Sequence, residues 1–358
     1  MQAILARLQT FSDMFAPVGR QDKEKGRLSA VRKKLLKLLA GLVLLAAAVV
    51  AAGAWWLFSS PAYQGPEPEG RLEHGSLEHR GKVRTWQTYA PSSLAGQPPV
   101  LFVLHGSMGS ATQMRKASYR AFELLADREG LVIVYADGYE NHWNDCRGGA
   151  SYSANLENID DVGFFRALVA VLEERYNADP RHVYATGLSN GGHMAFRLAL
   201  EAPDLIAGIA PIAANLPVPD NMDCEPSGKA VATLIINGTE DPVNPYAGGL
   251  VDVFGETSRG HVLSSFDTAR YWAALAGYSG AAQQQAWDDR APDDGTTITS
   301  AKWSSPTGVS VGLITVKGGG HSVPNEKYRL PRILGRTSHE FTTAEVIWAF
   351  FSGDTDLR

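Results

Sequence analysis

From about residue 81 onward, short apolar runs alternate with longer amphipathic segments. The short runs predict strands at 99–104, 131–136, 182–186, 206–212, 231–237 and 309–316. The longer segments have helical spacing at 113–128, 162–176, 190–201 and 342–351. Alternating strands and crossover helices predict an α/β fold, a mostly parallel sheet with helices on both faces. Such sheets bind ligands at the carboxyl ends of their strands, so the residues that follow each strand are the first candidates for chemistry.

The N-terminal part of the chain follows a different pattern. Residues 38–58 form an uninterrupted uncharged run, about as long as a membrane-spanning helix requires. Four basic residues stand just before it: Arg32, Lys33, Lys34 and Lys37. This arrangement predicts a transmembrane anchor, with residues 1–37 as a basic cytoplasmic tail and the bulk of the chain in the periplasm or outside the cell.

A cleaved signal peptide is the alternative interpretation of this segment, and it would make the protein a secreted one. The length of the apolar run and of the basic extension before it favours the anchor. Residues 59–80 are rich in Pro, Gly and Glu and are predicted to be a linker that holds the domain off the membrane. The domain itself is then expected at 81–358.

Charge and cysteine content narrow the function classes. Residues 1–37 hold nine of the 33 Lys and Arg but three of the 38 Asp and Glu, so the remaining chain is acidic and unsuited to nucleic acid. The two cysteines, Cys146 and Cys224, lie in polar stretches. Export predicts a disulfide between them, with two buried free thiols as the alternative. Neither has a second Cys or His at ligand spacing, so no metal site is expected.

One turn carries the strongest chemical signal. The strand ending at Thr186 is followed by Gly187-Leu188-Ser189-Asn190-Gly191 and then by a helical segment. This is the G-x-S-x-G nucleophile elbow in the strand-turn-helix context of an α/β-hydrolase fold, which predicts Ser189 as the nucleophile. The alternative is a Gly-rich turn in which Ser189 caps the helix.

A serine nucleophile needs a base and an orienting acid, which in this fold follow it in the order acid, then histidine. Asp241 follows the strand at 231–237, and Glu240 beside it is the fallback acid. His321 follows the strand at 309–316 on a glycine loop. The three residues stand after different strand ends in the required order, which predicts a Ser-His-Asp triad.

An oxyanion hole is expected from the backbone N–H of Asn190 and one from the loop after the strand at 99–104. We assign the second donor to Ser107, with Met108 as the alternative. His105 is expected to brace that loop, and His193 to be a packing residue.

These residues resemble the esterase family that contains feruloyl esterases, acetylxylan esterases and polyhydroxybutyrate depolymerases. The likeness runs from about residue 83 to 351 and is carried by six stretches: Leu104-His105-Gly106, Trp143-Asn144-Asp145, Gly187-Leu188-Ser189-Asn190-Gly191-Gly192, Asn237-Gly238-Thr239-Glu240-Asp241-Pro242, Gly318-Gly319-Gly320-His321 and Ile347-Trp348-Ala349-Phe350-Phe351. The resemblance implies the same triad and places Trp143 and Asn144 near the substrate, although Trp143 also suits a core position.

The predicted function is therefore hydrolysis of carboxylic esters, without metal or organic cofactor, on small or oligomeric substrates such as hydroxybutyrate oligomers or feruloyl and acetyl esters. Loops 215–229, 242–262 and 324–340 are expected to wall the pocket. The same triad also serves acyltransferases and peptidases. A non-catalytic binding domain on a hydrolase scaffold is the rival from another class.

Overall fold

The computed structural model describes residues 18–303 and 308–353. The chain divides into two units, Met1–Phe58 and Ser59–Arg358. Within the first unit, helix α1 covers Val18–Phe58, and its stretch Lys25–Phe58 is long and apolar enough to cross a bilayer. By length and composition this helix suits a membrane anchor or a signal sequence.

The second unit is built on one ten-stranded sheet and one small ribbon. Its strands are β1 Arg71–His79, β2 Lys82–Ala90, β3 Val100–Leu104, β4 Val132–Ala136, β5 Val183–Leu188, β6 Gly208–Ile212, β7 Ala232–Gly238, β8 Gly249–Leu250, β9 His261–Val262, β10 Gln283–Ala286, β11 Thr297–Trp303 and β12 Val311–Lys317. The large sheet has the order β1-β2-β4-β3-β5-β6-β7-β12-β11-β10, and β8 pairs with β9 separately.

The six central strands, from β4 to β12, are parallel, and each edge ends in antiparallel strands. Register aligns their carboxyl ends: Leu104 lies opposite Gly187, and Leu188 opposite Ile212. The central strands are buried on both faces, as parallel strands covered by helices must be, so their sequences are apolar runs. This architecture confirms the predicted α/β-hydrolase fold.

The helices of this unit are α2 Ala111–Ala117, α3 Ala121–Glu129, α4 Ser153–Leu156, α5 Asp161–Tyr176, α6 Asn190–Glu201, α7 Ser265–Leu275 and α8 Thr343–Phe351. Two hydrophobic clusters occupy the two faces of the sheet. One holds residues of α5, α6 and α7, and the other residues of α3 and α8. Helices therefore cover both faces, and the carboxyl edge of the sheet is left to the loops.

The segment predicted as a linker belongs to the folded unit, which corrects the boundary at residue 81. Residues 71–79 form β1, paired along its whole length with β2. Before it, the Ser59 carbonyl accepts a hydrogen bond from Arg329 at 2.8 Å, and the Tyr63 ring packs 5.6 Å from that of Tyr328. Proline and glycine indicate an irregular backbone, but they do not show whether that backbone is free or docked on a surface.

The predicted helix 113–128 is also wrong in one respect, because it consists of two helices. Tyr119 and Arg120 take left-handed backbone conformations between α2 and α3, with φ of 51° and 57°. Tertiary contacts hold this break: the Tyr119 hydroxyl donates to the Arg329 carbonyl at 2.7 Å, and Arg120 pairs with Glu67. Helical periodicity continues through the break, so the sequence pattern alone does not reveal it.

Candidate active site

Ser189 stands on the turn between β5 and α6, in a strained backbone conformation. Its φ of 57° and ψ of −120° lie in a region that non-glycine residues rarely adopt. Its N–H donates to the Ile212 carbonyl at 2.8 Å, which fixes the turn above β6. The side chain makes no capping hydrogen bond to α6, all of whose residues the structure describes. These two observations do not fit a serine N-cap, whereas the nucleophile-elbow interpretation predicts a strained turn of this kind.

Close backbone packing explains the glycines of the elbow. A Cβ on Gly191 would lie 2.4 Å from the Leu104 carbonyl oxygen and 2.6 Å from that of His105. Both distances are far below van der Waals contact, and the clashing atoms are backbone, so no side chain fits there. The glycine lets the start of α6 approach the end of β3, where the His105 loop begins.

His321 and Asp241 meet at the carboxyl ends of β12 and β7. The His321 Nδ1 lies 2.7 Å from the Asp241 Oδ2, and both side chains are almost fully buried. A carboxylate can only accept, so Nδ1 carries the proton and Nε2 is left as the basic nitrogen. The His321 N–H donates to the Leu334 carbonyl at 2.7 Å, and a Cβ on the preceding Gly320 would lie 2.2 Å from that same oxygen. The histidine is therefore positioned by its backbone.

Asp241 is fixed by its second carboxylate oxygen. Oδ1 accepts the N–H groups of Val243 and Asn244 at 2.7 and 2.8 Å. Glu240, the fallback acid, points elsewhere: its exposed carboxylate pairs with Arg336 at 2.6 Å. Of the two acids that the sequence offers, the structure brings Asp241 to the histidine.

The loop after β3 is braced by His105, which is nearly fully buried. Its Nδ1 lies 2.7 Å from the Gly106 carbonyl oxygen and its Nε2 lies 2.9 Å from the Gly138 nitrogen. One ring nitrogen thus donates while the other accepts, as only the neutral ring can do. Burial accordingly lowers the pKa of His105 to about 4. The loop then reaches Ser107 and Met108, the latter at a φ of 59°.

The backbone and the side chain of Asn190 have different surroundings. As the first residue of α6, it has a backbone N–H with no acceptor inside the helix. Its buried side chain turns away into a polar network, where Nδ2 donates to the Asp145 Oδ2 at 2.6 Å and to the Trp143 carbonyl at 3.0 Å. The side chain thereby fixes the residue that follows Ser189.

That network is centred on a buried ion pair. Asp145 accepts from Arg147 through both carboxylate oxygens and from the Tyr152 hydroxyl at 2.7 Å. Both charged side chains are at most 2% exposed. Burial by itself would raise the pKa of Asp145, but the Arg147 guanidinium beside it outweighs burial and lowers the pKa below its usual range. No motif in the sequence marks Arg147 or Tyr152 as part of this network.

Trp143 and Asn144 lie in the interior, not on an open pocket wall. Trp143 is fully buried, and its indole N–H donates to the His105 carbonyl at 3.0 Å. Asn144 is 2% exposed, and its amide donates to Asn158 and to the Ile159 carbonyl. Trp143 thereby joins the loop after β3 to the start of α6, whereas Asn144 holds the segment before α5. The predicted role as substrate-binding residues does not match this burial.

Two further predicted residues lie beside this network. His193 is buried on α6, and burial together with the Arg147 charge lowers its pKa well below the usual range. Cys146 forms a disulfide with Cys224, 78 residues along the chain. The bridge ties the segment around Asp145 to loop 215–229, one of the expected pocket walls.

Known esterases are similar to this chain over much of its length. No model of a protein family matches the chain. The esterase NocK of Nocardia uniformis subsp. tsuyamanensis is 31% identical over 289 residues, which cover 76% of this chain and 80% of NocK. Feruloyl esterase B of Piromyces equi is 29% identical over 65% of this chain, but that match spans 41% of the relative's length.

Two shorter or more distant likenesses complete the comparison. The poly(3-hydroxybutyrate) depolymerase of Ralstonia pickettii is 33% identical over 35% of this chain and 27% of its own length. Among solved structures, the acetyl xylan esterase from Aspergillus awamori matches with a TM-score of 0.49 and 17% identity, over 72% of this chain and 96% of that one.

The strand order, the elbow and the extent of the NocK match lead to one conclusion. The chain belongs to the esterase family that includes feruloyl esterases, acetylxylan esterases and polyhydroxybutyrate depolymerases, and it is a carboxylic ester hydrolase on an α/β-hydrolase fold.

Proposed function

We propose that this esterase is a membrane-anchored serine hydrolase that cleaves carboxylic esters through an acyl-enzyme, with Ser189 as nucleophile, His321 as general base and Asp241 as the acid that orients it. The observation that carries the proposal is the 2.7 Å contact between His321 Nδ1 and Asp241 Oδ2. It leaves the Nε2 of His321 as the only basic nitrogen of that ring.

In the first step, Ser189 Oγ attacks the ester carbonyl carbon and its proton passes to His321 Nε2. The tetrahedral intermediate collapses, the C–O bond to the alcohol breaks, and the imidazolium returns the proton to the leaving alkoxide. Water then attacks the acyl-enzyme with His321 again as base, and the acid product leaves Ser189 with its proton restored. Asp241 stays ionised and stabilises the imidazolium in both steps.

The oxyanion of both intermediates would be bound by the backbone N–H groups of Asn190 and Ser107, with Met108 as the alternative second donor. Asn190 suits this role because its N–H opens a helix, where donors lack an internal acceptor and the dipole favours negative charge. The His105 ring keeps the second loop rigid from below. Preorganised donors of this kind typically contribute about a hundredfold to a thousandfold in kcat.

The substrates that we propose follow from what the relatives are named for. These names cover feruloyl esters, acetylated xylan and poly(3-hydroxybutyrate). All contain carboxylic ester bonds, and we propose small or oligomeric esters of these kinds as substrates, which the proposed mechanism cleaves without a metal or organic cofactor. A hydrolysis screen across acetyl, feruloyl and hydroxybutyrate-oligomer esters would rank them.

We further propose that α1 is a retained anchor and that the catalytic unit lies outside the cytoplasm. The apolar stretch of α1 and the basic residues at its start support the anchor. The disulfide supports the oxidising compartment. In a test on the full-length protein, the membrane fraction after carbonate washing should hold the activity and the intact N-terminus; a soluble, shortened chain would mean a cleaved signal peptide.

The nucleophile is tested with Ser189→Ala. We expect its turnover of p-nitrophenyl acetate to fall by at least about ten-thousandfold, and its labelling by a fluorophosphonate probe to vanish. Ser279→Ala, at an exposed position outside the site, is the matched control and should label like the parent. Labelling or turnover that survives in Ser189→Ala would overturn the assignment.

A further inference from the structure

The segment between β7 and α7 forms a small folded flap, residues 243–262. Within it, β8 pairs with β9 at the C-terminal end, and a separate apolar cluster is formed by Val243, Val251 and Val262. It begins two residues after Asp241 and is joined to loop 215–229, because the Asn221 side chain donates to the Arg259 carbonyl at 2.9 Å. The flap is therefore an ordered wall rather than a loose loop.

Arg259 is a buried cation within this flap, and the proposed mechanism does not use it. The residue is 6% exposed. Neither its Nε nor its Nη1 makes a hydrogen bond to any residue in 18–303 or 308–353. Nη1 meets the Glu256 carboxylate as an ion pair, but Glu256 is itself about half exposed. A buried guanidinium whose Nε makes no hydrogen bond and whose ion-pair partner is about half exposed costs the fold free energy, and it retains the capacity to bind an anion.

A nearby arginine shows what a saturated site looks like. Arg147 is equally buried, yet its Nε and Nη2 both donate to Asp145, and Nη2 also reaches the Tyr152 hydroxyl. Asp145 is fully buried and cannot leave. Arg259 has instead a partner at the surface, which a competing carboxylate could displace. Arg147 is thus fully engaged by its buried partner, whereas Arg259 can still bind another carboxylate.

Contacts of Arg259 and of the residue before it lead to the polar network around the side chain of Asn190, the residue that follows Ser189. Its guanidinium lies 5.7 Å from the centre of the Tyr152 ring, and the Tyr152 hydroxyl lies 3.2 Å from the Asn190 Nδ2. The adjacent Ser258 hydroxyl is 2.8 Å from that of Ser151. One charge relation agrees with this: the charges of His321 and Arg259 both lower the pKa of His193, after burial and the Arg147 charge.

We infer that Arg259 is a specificity-determining residue that binds a carboxylate carried by the ester substrate, on either its acyl or its alcohol part, in place of Glu256. The planar guanidinium binds carboxylates through paired N–H donors, which suits this task better than a lysine would. The inference rests on the proposed function and adds to it a preference for anionic esters.

The test compares matched ester pairs on the full-length enzyme. Mono-p-nitrophenyl succinate against p-nitrophenyl butyrate probes a carboxylate on the acyl side, and 4-acetoxybenzoate against its methyl ester probes one on the alcohol side. Arg259→Gln should lower the anionic-to-neutral ratio of kcat/KM about tenfold to hundredfold for one pair, mainly through KM. Arg259→Lys should recover part of the loss, and Glu256→Gln should raise the ratio about threefold by removing the competing carboxylate.

Arg270→Gln is the matched control, since that arginine is exposed and its distant pairing with Asp267 is weak. Ratios that stay within twofold of the parent for both pairs in Arg259→Gln would overturn the inference, as would an equal loss on anionic and neutral esters. If Arg259→Gln does not fold, an unchanged KM for both anionic esters in Glu256→Gln overturns it instead. Absence of Ser189-dependent turnover of the neutral esters would refute the proposed function, a result distinct from either of these.

Discussion

The two sides of Ser189 are built by different means. On the side of His321 and Asp241, the polar groups are held by backbone hydrogen bonds and by glycines that allow close approach. On the side of Asn190, the Asn190 side chain is held by a buried ion pair between Asp145 and Arg147. In the first arrangement, the two side chains bond to each other, and the second Asp241 carboxylate oxygen accepts only backbone N–H groups. The second satisfies nearly every polar atom within the network.

The difference shows how chemistry and stability are distributed in the site. An acid-base pair has to exchange protons, so a dense set of buried charges next to it would fix its protonation state. Backbone amides position it without adding a titratable group. The start of α6 only has to stay in place, so a buried ion pair can hold it. Removing one partner of such a pair leaves a buried, unpaired charge and destabilises the fold. We therefore expect variants on one side to lose activity, and variants on the other to lose stability.

The largest effect is expected from Asp241→Asn. The amide oxygen of the new side chain can still accept the N–H groups of Val243 and Asn244. The free energy of unfolding should therefore change by less than about 1 kcal/mol. Its NH2 group cannot accept from His321 Nδ1 and would select the wrong tautomer, which lowers kcat by about ten-thousandfold. Steady-state kinetics and urea unfolding measure the two quantities.

Glu240→Gln is the control for this variant, because that carboxylate faces Arg336 at the surface. Its kcat should stay within about twofold of the parent, as surface substitutions usually do. An Asp241→Asn enzyme that unfolds more easily but turns over normally would reverse the comparison.

The next effect is expected from Asp145→Asn, on the other side of Ser189. The substitution removes the charge that Arg147 requires and leaves a buried cation, so the free energy of unfolding should fall by about 4 kcal/mol. Urea denaturation of the purified protein measures it. Kinetic changes should be smaller than those of Asp241→Asn and should appear with the loss of structure.

Asp204→Asn provides the contrast, since Asp204 pairs bidentately with Arg166 in the open. An exposed pair contributes less than about 1 kcal/mol, so this variant should unfold almost like the parent. An equal decrease in the free energy of unfolding in the two variants would show that the buried Asp145–Arg147 pair stabilises the fold no more than the exposed one does.

The smallest effect concerns the brace beneath the oxyanion loop. The folded pKa of His105 is about 4, below the ordinary value of 6.5, so the folded state binds fewer protons between these limits. Stability must then fall as the pH falls, by about 2 kcal/mol from this residue between pH 7 and pH 5. His105→Gln should remove that part of the slope, as urea midpoints at the two pH values would show. A variant with the full slope of the parent would mean that His105 is protonated in place.

Much of the fold could be predicted from the sequence, for a physical reason. Strands buried on both faces must be apolar throughout, so β3 to β7 and β12 stand out as short runs. Edge strands have no such requirement. β10 is Gln-Gln-Gln-Ala, and β1 contains several charged residues, so neither segment stands out as a strand in the sequence. The sequence pattern also does not predict helix α7 or the break at Tyr119, because local patterning does not record tertiary contacts.

The site divides in the same way. Ser189, Asp241 and His321 each follow a strand, so the topology of the sheet predicts their proximity, and the structure brings His321 and Asp241 into contact. Arg147 and Arg259 look like ordinary loop residues, because their burial depends on chain segments far away in sequence. The placement of Asp145 beside Trp143 and a cysteine was the one local signal available. Residue type alone could not separate a solvated charge from a buried one.

The bridge between Cys146 and Cys224 makes the proposed location of the catalytic unit testable by counting thiols. The full sequence has two cysteines and both are in the bridge, so each folded chain offers either no thiol or two. A maleimide titration of denatured, unreduced protein would therefore report in which compartment the catalytic unit folded. A value near zero indicates an oxidising compartment, and a value near two a reducing one. No tag or fusion is needed for that reading.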